Sequence, residues 1–278
     1  MTDPFGARLM TAIAARGPLC VGIDPHAALL EEWRLGDSVD GLTRFAATCV
    51  EALAGEVAVL KPQSAFFERF GARGVAVLER TIADARAAGA LVLLDVKRGD
   101  IGSTMAAYAD AYLDKGAPMA VDAITVSPYL GVGSLRPAFD AAREHGSGVF
   151  VLARTSNPEG SDLQLATQPD GTSVAQHIVD GVATENAVSP GAVGSIGLVV
   201  GATLDRTELA LESLRGPLLV PGLGAQGGTA ADIARLLGDL PGVLPSSSRG
   251  VLAAGPAAPA LRAAAARQRD ELADAGLG

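Results

Sequence analysis

The sequence predicts a single-domain α/β protein folded as a (β/α)8 barrel, also called a TIM barrel. Eight short apolar runs rich in β-branched residues alternate with longer segments in which apolar residues recur at helical intervals. The runs begin 22 to 48 residues apart, which fits a repeating βα unit. An open, doubly wound sheet shows the same alternation, but eight units in 278 residues favour the closed barrel.

The predicted strands are short, and helices are expected in every connection between them. Between the first two strands, for example, Leu42, Phe45, Cys49 and Leu53 fall on one face of a helix. The strands are predicted at residues 19–24, 57–62, 91–97, 122–127, 148–154, 196–202, 218–222 and 244–249.

Three further segments complete the expected domain, which spans residues 1–278. Residues from about 5 to 15 are predicted to form an N-terminal helix that closes the bottom of the barrel, and the alanine-rich residues 257–275 a last helix. The long connection after the fifth strand holds two turn-rich clusters, at 157–161 and 168–171. We expect a lid-like loop over the barrel mouth at about 155–172, the alternative being a surface insertion.

Composition and charge exclude several classes of protein. Hydrophobic residues make up 49% of the chain and the mean hydropathy is +0.30, so the chain is not disordered as a whole. The net charge of -9 argues against nucleic acid as a partner. The sequence shows neither a signal peptide nor a long apolar run, so no membrane partner is expected. Cys20 and Cys49 cannot form a disulfide framework, and we expect reduced thiols in a cytoplasmic protein.

The candidate site lies at the carboxyl-terminal ends of the strands, where parallel barrels place their active sites. Lysine is rare in this chain: only three of the 22 basic residues are lysine, and two of these, Lys61 and Lys97, stand at strand ends. The polar residues at the predicted strand ends and in the loops that follow are Asp24, Lys61, Asp95, Lys97, Asp100, Ser127, Arg154, Thr155, Ser156, Gln226 and Arg249.

The end of the third strand gives the sharpest indication of chemistry. Because side chains alternate along a strand, Asp95 and Lys97 share a face, and Asp100 follows in the turn. Neighbouring carboxylates keep a lysine protonated, so Lys97 would be a proton donor. Repulsion between these carboxylates and an anionic substrate group would be relieved if that group left as CO2. The alternative is a buried ion-pair network that only holds the barrel together.

A second indication comes from the glycine-rich residues 220–228 and from Ser-Ser-Arg-Gly at 247–250. Glycines let backbone N–H groups approach phosphate oxygens, and Arg249 would add a bidentate contact. A glycine-rich turn without a ligand is the alternative. Asp24 would either bind a sugar hydroxyl or cap the first helix. The histidines are scattered, so no metal site is predicted.

Together these motifs resemble the orotidine 5'-monophosphate (OMP) decarboxylase family, in its longer bacterial branch. The most specific motif is Asp-x-Lys-x-x-Asp, formed by Asp95, Lys97 and Asp100 and continued by Ile-Gly-Ser-Thr at 101–104. Supporting motifs are Gly-Ile-Asp-Pro at 22–25, Leu-Lys-Pro-Gln at 60–63, Arg-Thr-Ser-Asn-Pro at 154–158, Pro-Gly-Leu-Gly-Ala-Gln-Gly at 221–227 and Ser-Arg-Gly at 248–250. The resemblance covers nearly the whole chain.

The resemblance implies an enzyme that converts OMP to UMP and CO2 in de novo pyrimidine biosynthesis without a cofactor. Lys97 would protonate the carbanion at C6 of the pyrimidine. The enzyme would be a homodimer whose site combines Lys61, Asp95 and Lys97 of one subunit with Asp100 of the other. The implied substrate-binding residues are Ile101 and Thr104 beside Asp100, Asp24 at the ribose, Ser156 at the pyrimidine (with Thr155 or Ser127 as alternatives), and Gln226 and Arg249 at the phosphate.

Two other functions are open from the sequence. A Mg2+-dependent sugar-phosphate decarboxylase or aldolase on the same barrel looks similar around Asp-x-Lys-x-x-Asp, and chelation of the metal would distinguish it. A catalytically silent barrel would only bind nucleotides or partner proteins. The intact charged residues at the strand ends argue against this last function.

Overall fold

The fold is a closed barrel of eight parallel strands. The computed structural model describes residues 3–189, 191–204, 209–224 and 227–278. Each strand pairs with its neighbour in sequence, and the first strand pairs with the eighth to close the ring. The predicted TIM barrel is confirmed. The strands are β1 (Cys20–Ile23), β2 (Val59–Pro62), β3 (Leu91–Arg98), β4 (Ala123–Val126), β5 (Gly148–Arg154), β6 (Ile196–Val200), β7 (Leu218–Pro221) and β8 (Val243–Ser247).

Helices cover the outside of the barrel in most connections. Ser38 and Ser173 cap two of them by accepting a hydrogen bond from a first-turn N–H, and Thr229 with Asp232 forms a capping box at a third. The helices are α1 (Phe5–Arg16), α2 (Ala27–Glu32), α3 (Val39–Leu53), α4 (Ser64–Glu68), α5 (Gly71–Ala87), α6 (Gly102–Leu113), α7 (Arg136–His145), α8 (Gly160–Gln164), α9 (Val174–Asn186), α10 (Ala230–Leu237), α11 (Arg249–Leu252) and α12 (Ala258–Asp274).

The connection from β6 to β7 differs from the expected pattern. Its described residues, 201–204 and 209–217, form turns and no helix. The expectation of a helix in every connection is therefore wrong for these residues. Leu211 and Leu214 are buried in the outer apolar layer. Apolar side chains from a turn thus cover the strands where a helix was expected.

Helix α1 closes the amino-terminal end of the barrel. Phe5 meets the ring of Phe150 edge-on, with the two centroids 5.9 Å apart. A Cβ atom at Gly148 would lie 2.4 Å from the Phe5 ring, so this close approach requires glycine. Arg8 anchors the helix by donating a hydrogen bond to the Asp122 carboxylate. The floor of the barrel is therefore closed, and the carboxyl-terminal mouth is the end available to a ligand.

The apolar core has two layers, one inside the barrel and one between the strands and the helices. Cys20 lies in the inner layer and Cys49 in the outer layer, and both are buried free thiols. Burial raises the pKa of Cys20 to about 12, so this thiol stays protonated near neutral pH. Within the part of the chain that the structure describes, none of the helices combines the length and apolar surface needed to cross a bilayer.

Candidate active site

A cavity of about 450 Å³ opens at the carboxyl-terminal mouth of the barrel. Another cavity of about 450 Å³ lies outside the barrel beside α10, and its lining is mostly leucine. Convergent charged and polar groups distinguish the mouth cavity, which is therefore the candidate site. Its polar lining consists of Asp24, His26, Lys61, Gln63, Asp95, Lys97, Thr125, Thr155, Ser156, Asn157, Ser246, Ser248 and Arg249.

A break in the register of β3 positions its charged side chains. Leu94 pairs with Ile124 of β4, but the next pair joins Arg98 to Val126, so β3 uses more residues than β4 over the same stretch. Lys97 lies within this bulge and has a left-handed φ of +44°, which non-glycine residues rarely adopt. The bulge, and not regular pleating, therefore directs the Lys97 side chain.

Asp95 is the centre of a chain of charges. Its two carboxylate oxygens accept hydrogen bonds from Lys61 Nζ at 3.1 Å and from Lys97 Nζ at 2.6 Å. The Thr125 hydroxyl donates to the same oxygen as Lys97, at 2.8 Å. Lys61 and Asp95 are buried, whereas the Lys97 side chain is 47% exposed. Asp95 and Lys97 thus lie together, as expected from their spacing, and only Lys97 is open to a ligand.

Electrostatics fix the charge of the buried pair. Burial alone would raise the pKa of Asp95, but the ammonium groups of Lys61 and Lys97 outweigh it and hold that pKa at about 2. Burial would likewise lower the pKa of Lys61, but Asp95, with a smaller contribution from Asp24, raises it above the ordinary value. Both groups are charged at neutral pH, so the cavity presents a carboxylate held between two lysines.

Asp24 follows β1 and lies beside other unsatisfied polar atoms. Among the described residues, its buried Oδ1 and the buried hydroxyl of Ser248 have no hydrogen-bond partner. Helix α2 is preceded by His26 and has no side-chain cap, so Asp24 does not serve as the helix cap that the sequence left open. Buried polar atoms are normally satisfied, so a hydroxyl-bearing ligand suits this corner.

The loop after β7 turns back on itself through glycines. Gly222, Gly224 and Gly227 have φ values of +113°, +76° and +89°, which glycine adopts without strain. Gln226, a predicted phosphate ligand, lies outside the described residues. Arg249 is exposed and lines the cavity. It is the first residue of α11, and β8 ends at Ser247, so the strand predicted at 244–249 extends two residues too far. A glycine-rich loop and a guanidinium therefore flank the mouth.

The loop after β5 brings Thr155, Ser156 and Asn157 to the cavity, and residues 155–172 contain the short helix α8. The Thr155 hydroxyl is used within the loop: it donates to Asn157 Oδ1 at 2.6 Å and accepts from Gln164 Nε2 at 2.8 Å. Ser127, at the end of β4, lies outside the cavity lining. Of the three hydroxyl residues considered for the pyrimidine, Thr155 and Ser156 thus line the cavity and Ser127 does not.

The segment after β3 is not part of this cavity. Asp100, Ile101 and Thr104 are absent from its lining, and the Asp100 carboxylate accepts a hydrogen bond from the backbone N–H of Ile101 at 2.8 Å. Ile101 is 62% exposed, and Thr104 is exposed as well. Within one chain, the structure does not bring these three predicted residues to Lys97.

Several polar residues of the cavity were not predicted. Gln63 directly follows Lys61-Pro62, and His26 directly follows Asp24-Pro25. Their proximity to these two candidate residues was the sequence feature that could have placed them at the cavity. Asn157 lies in a predicted turn and in the motif Arg-Thr-Ser-Asn-Pro at 154–158, but no role was assigned to it. Thr125 shares the inward face of β4 with Ala123, so strand alternation would have found it.

Known proteins match this chain in sequence and in structure. The profile of the orotidine 5'-phosphate decarboxylase / HUMPS family matches residues 17–264. The chain belongs to this family. Curated proteins named orotidine 5'-phosphate decarboxylase from Salinispora tropica and Streptomyces coelicolor are each 62% identical to it over 266 residues, which is 95% of both chains. These matches confirm the predicted family and the prediction of an enzyme.

Solved structures of similar proteins have the same fold as this chain. The crystal structure of a Streptomyces avermitilis protein has a TM-score of 0.96 and 59% identity, covering 100% of this chain and 97% of that chain. Leishmania donovani OMP decarboxylase has a TM-score of 0.79 and 31% identity, covering 99% and 100% respectively. The barrel described above is therefore shared along its whole length with members of the family.

Proposed function

We propose that this enzyme converts OMP to UMP and CO2, as a step of de novo pyrimidine biosynthesis in the cytoplasm. The observation that carries the proposal is the chain Lys61, Asp95 and Lys97, joined at 3.1 and 2.6 Å in a cavity at the barrel mouth. Family membership supports the reaction. The cavity of about 450 Å³ falls in the size range of small-molecule sites.

Lys97 would be the acid. The bond between C6 and the carboxylate breaks, its electron pair stays on C6, and CO2 leaves. The Lys97 ammonium then gives a proton to C6, and a proton from water restores the ammonium. Lys97 suits this role because its side chain is 47% exposed in the cavity, whereas Lys61 is buried. No cofactor takes part in these steps.

Asp95 and Lys61 would act as fixed charges. Because the pKa of Asp95 is about 2 and that of Lys61 is raised, neither changes its charge near neutral pH. The Asp95 carboxylate would repel the substrate carboxylate, and that repulsion disappears as CO2 departs. The Lys97 ammonium interacts most strongly when negative charge develops at C6, and such a difference between ground state and transition state raises the rate.

The rest of the cavity would hold the remainder of the nucleotide. Asp24, with an unpartnered Oδ1, would accept hydrogen bonds from the ribose hydroxyls. Ser156 would bind the pyrimidine edge, and Arg249 the phosphate together with Gln226. Both Ser156 and Arg249 line the cavity. Residues 155–172 would close over the bound nucleotide as a lid.

Asp100, Ile101 and Thr104 would complete the cavity of a second copy of the chain. Ile101 and Thr104 are exposed, Asp100 is half-buried, and all three lie outside the cavity of their own chain, which supports this role. Ile101 is 62% exposed and Tyr129 is 75% exposed, which leaves apolar surface that a subunit interface would bury. We therefore propose a homodimer in which Asp100 of each chain reaches the Lys97 of the other.

A direct assay tests the function. The purified protein is mixed with OMP, the loss of orotate absorbance is followed, and UMP and CO2 are quantified. Equal amounts of UMP and CO2 are expected, with Lys97→Ala protein as the control for contaminating enzyme. OMP that stays intact would overturn the proposal, and Mg2+-dependent turnover of a sugar-phosphate acid would favour the alternative.

A further inference from the structure

We propose that Thr125 is a positioning residue that aims Lys97 at the reacting carbon. This inference rests on the proposed decarboxylation, because it concerns the placement of the same acid. Thr125 is only 1% exposed, lies on β4 and lines the cavity. Its role would be exerted through Asp95 and the backbone of β3.

The Thr125 hydroxyl makes three hydrogen bonds, and all of them go to one short segment. It donates to Asp95 Oδ1 at 2.8 Å, and it accepts from the backbone N–H groups of Val96 at 3.1 Å and Lys97 at 3.0 Å. A hydroxyl has one donor and two acceptor lone pairs, so its full capacity is used.

These bonds lie where β3 loses its regular partners on β4. The pairing between the two strands lapses after Leu94 and resumes at Arg98. Val96 and Lys97 lie inside this gap, and the Thr125 oxygen accepts from both of their N–H groups. The φ of +44° at Lys97 is strained for a side chain with a Cβ, and such conformations persist only where the surroundings impose them. The hydroxyl is one such constraint.

The same hydroxyl also fixes the carboxylate that Lys97 contacts. Asp95 Oδ1 accepts from Thr125 and from Lys97 Nζ, while Oδ2 accepts from Lys61. Thr125 therefore restrains Lys97 at both ends, through its backbone N–H and through the partner of its ammonium. Without the hydroxyl the bulge would relax and the carboxylate would rotate, and both changes would displace the ammonium. Proton transfer is sensitive to displacements of this kind.

Three variants separate positioning from a merely structural role. Thr125→Val keeps the shape and removes the hydroxyl, and Thr125→Ser keeps the hydroxyl. Thr81→Val is the matched control, since Thr81 is 4% exposed and its hydroxyl donates to Val77 O at 2.7 Å in α5, away from the cavity. For each variant, kcat and KM for OMP are measured together with the melting temperature.

We expect Thr125→Val to lower kcat by about ten- to a hundredfold, the loss typical of a misplaced catalytic group. KM should change by less than about threefold, because Asp24 and Arg249 still hold the nucleotide. Thr125→Ser should restore kcat to within about threefold of the unaltered enzyme. Thr81→Val should lower the melting temperature and leave kcat unchanged. Amide hydrogen exchange at Val96 and Lys97 should accelerate in Thr125→Val and stay slow in Thr125→Ser.

An unchanged kcat in folded Thr125→Val protein would overturn the inference, as would equal losses of kcat in the Val and Ser variants. If Thr125→Val does not fold, kcat is compared between Thr125→Ala, which lacks the hydroxyl, and Thr125→Ser, which keeps it. Absence of OMP turnover by the unaltered protein would instead overturn the proposed function. The two failures are therefore distinguishable.

Discussion

The two parts of the Asp-x-Lys-x-x-Asp motif, Asp95 with Lys97 and Asp100 after them, have different surroundings. Asp95 and Lys97 lie on β3 and join Lys61 of β2 in the cavity, at 2.6 and 3.1 Å. Asp100, only three residues beyond Lys97, lies outside that cavity beside Ile101, which is 62% exposed. The strands bring the first part together within one chain, whereas the second part lies outside the cavity of its own chain. The proposed homodimer would bring Asp100 to the cavity of the other subunit.

The largest expected effect is on the part that the strands complete. Lys97→Ala should fold normally, since the side chain is 47% exposed, yet lose kcat by about 10⁴-fold or more. By the proposed mechanism, the variant would lose both the proton donor and the cation that faces the carbanion. Lys115→Ala, which removes an exposed lysine two residues after the end of α6, is the matched control and should retain normal turnover. Turnover by Lys97→Ala near that of the control would contradict the mechanism.

A smaller effect is expected at the phosphate end of the cavity. Arg249→Ala should lower kcat/KM for OMP by about a hundredfold, the loss typical of a charge-assisted hydrogen bond. The nucleoside orotidine has no phosphate, so its slow turnover should barely change. Arg80→Ala, at an exposed arginine of α5, should affect neither substrate. Equal losses on OMP and orotidine would place Arg249 away from the phosphate.

The third prediction tests whether Asp100 acts in the neighbouring subunit. Lys97→Ala and Asp100→Ala chains, each inactive alone, are mixed under conditions that exchange subunits. With random pairing about half the dimers are mixed, and each of these has one intact site of two, so roughly a quarter of the normal activity should return. If the mixture stays inactive while subunit exchange is demonstrated by a tagged chain, Asp100 acts within its own chain.

Periodicity predicted the barrel, and strand alternation predicted that Asp95 and Lys97 share a face. The two side chains do meet, with Lys97 Nζ donating to Asp95 Oδ1, but the bulge in β3 and not alternation directs Lys97. Alternation carries no information about the register break after Leu94, so the bulge and the φ of +44° at Lys97 could not be predicted. Alternation places Thr125 on the inward face of β4, but it does not show that the Thr125 hydroxyl accepts from the N–H groups of Val96 and Lys97 in this break.

Loops were less predictable than strands because hydrogen bonds between distant residues decide their geometry. The Thr155 hydroxyl, for example, accepts a hydrogen bond from Gln164, a residue of α8 that lies nine positions further along the chain. Arg249 was expected to end the eighth strand, whereas β8 ends at Ser247, Ser248 follows, and α11 begins at Arg249. Many of the side chains at the barrel mouth could thus be predicted from the sequence, but the turns that orient them could not.

The smallest expected effect is that of metal removal, which separates this enzyme from a Mg2+-dependent relative on the same barrel. Both Asp95 oxygens already accept hydrogen bonds from lysines, and Oδ1 accepts a further one from Thr125. Mg2+ requires octahedral oxygen ligands, and the lysines leave Asp95 poorly suited to provide one. Across the described residues, no three His, Cys, Asp or Glu side chains form a metal-binding group.

Exhaustive treatment with EDTA should therefore leave the rate of OMP turnover unchanged. A known Mg2+-dependent enzyme, treated in parallel, is the control that proves that chelation was complete. Loss of activity that Mg2+ restores would contradict the lysine-centred mechanism, because the charge that stabilises the carbanion would then come from the metal.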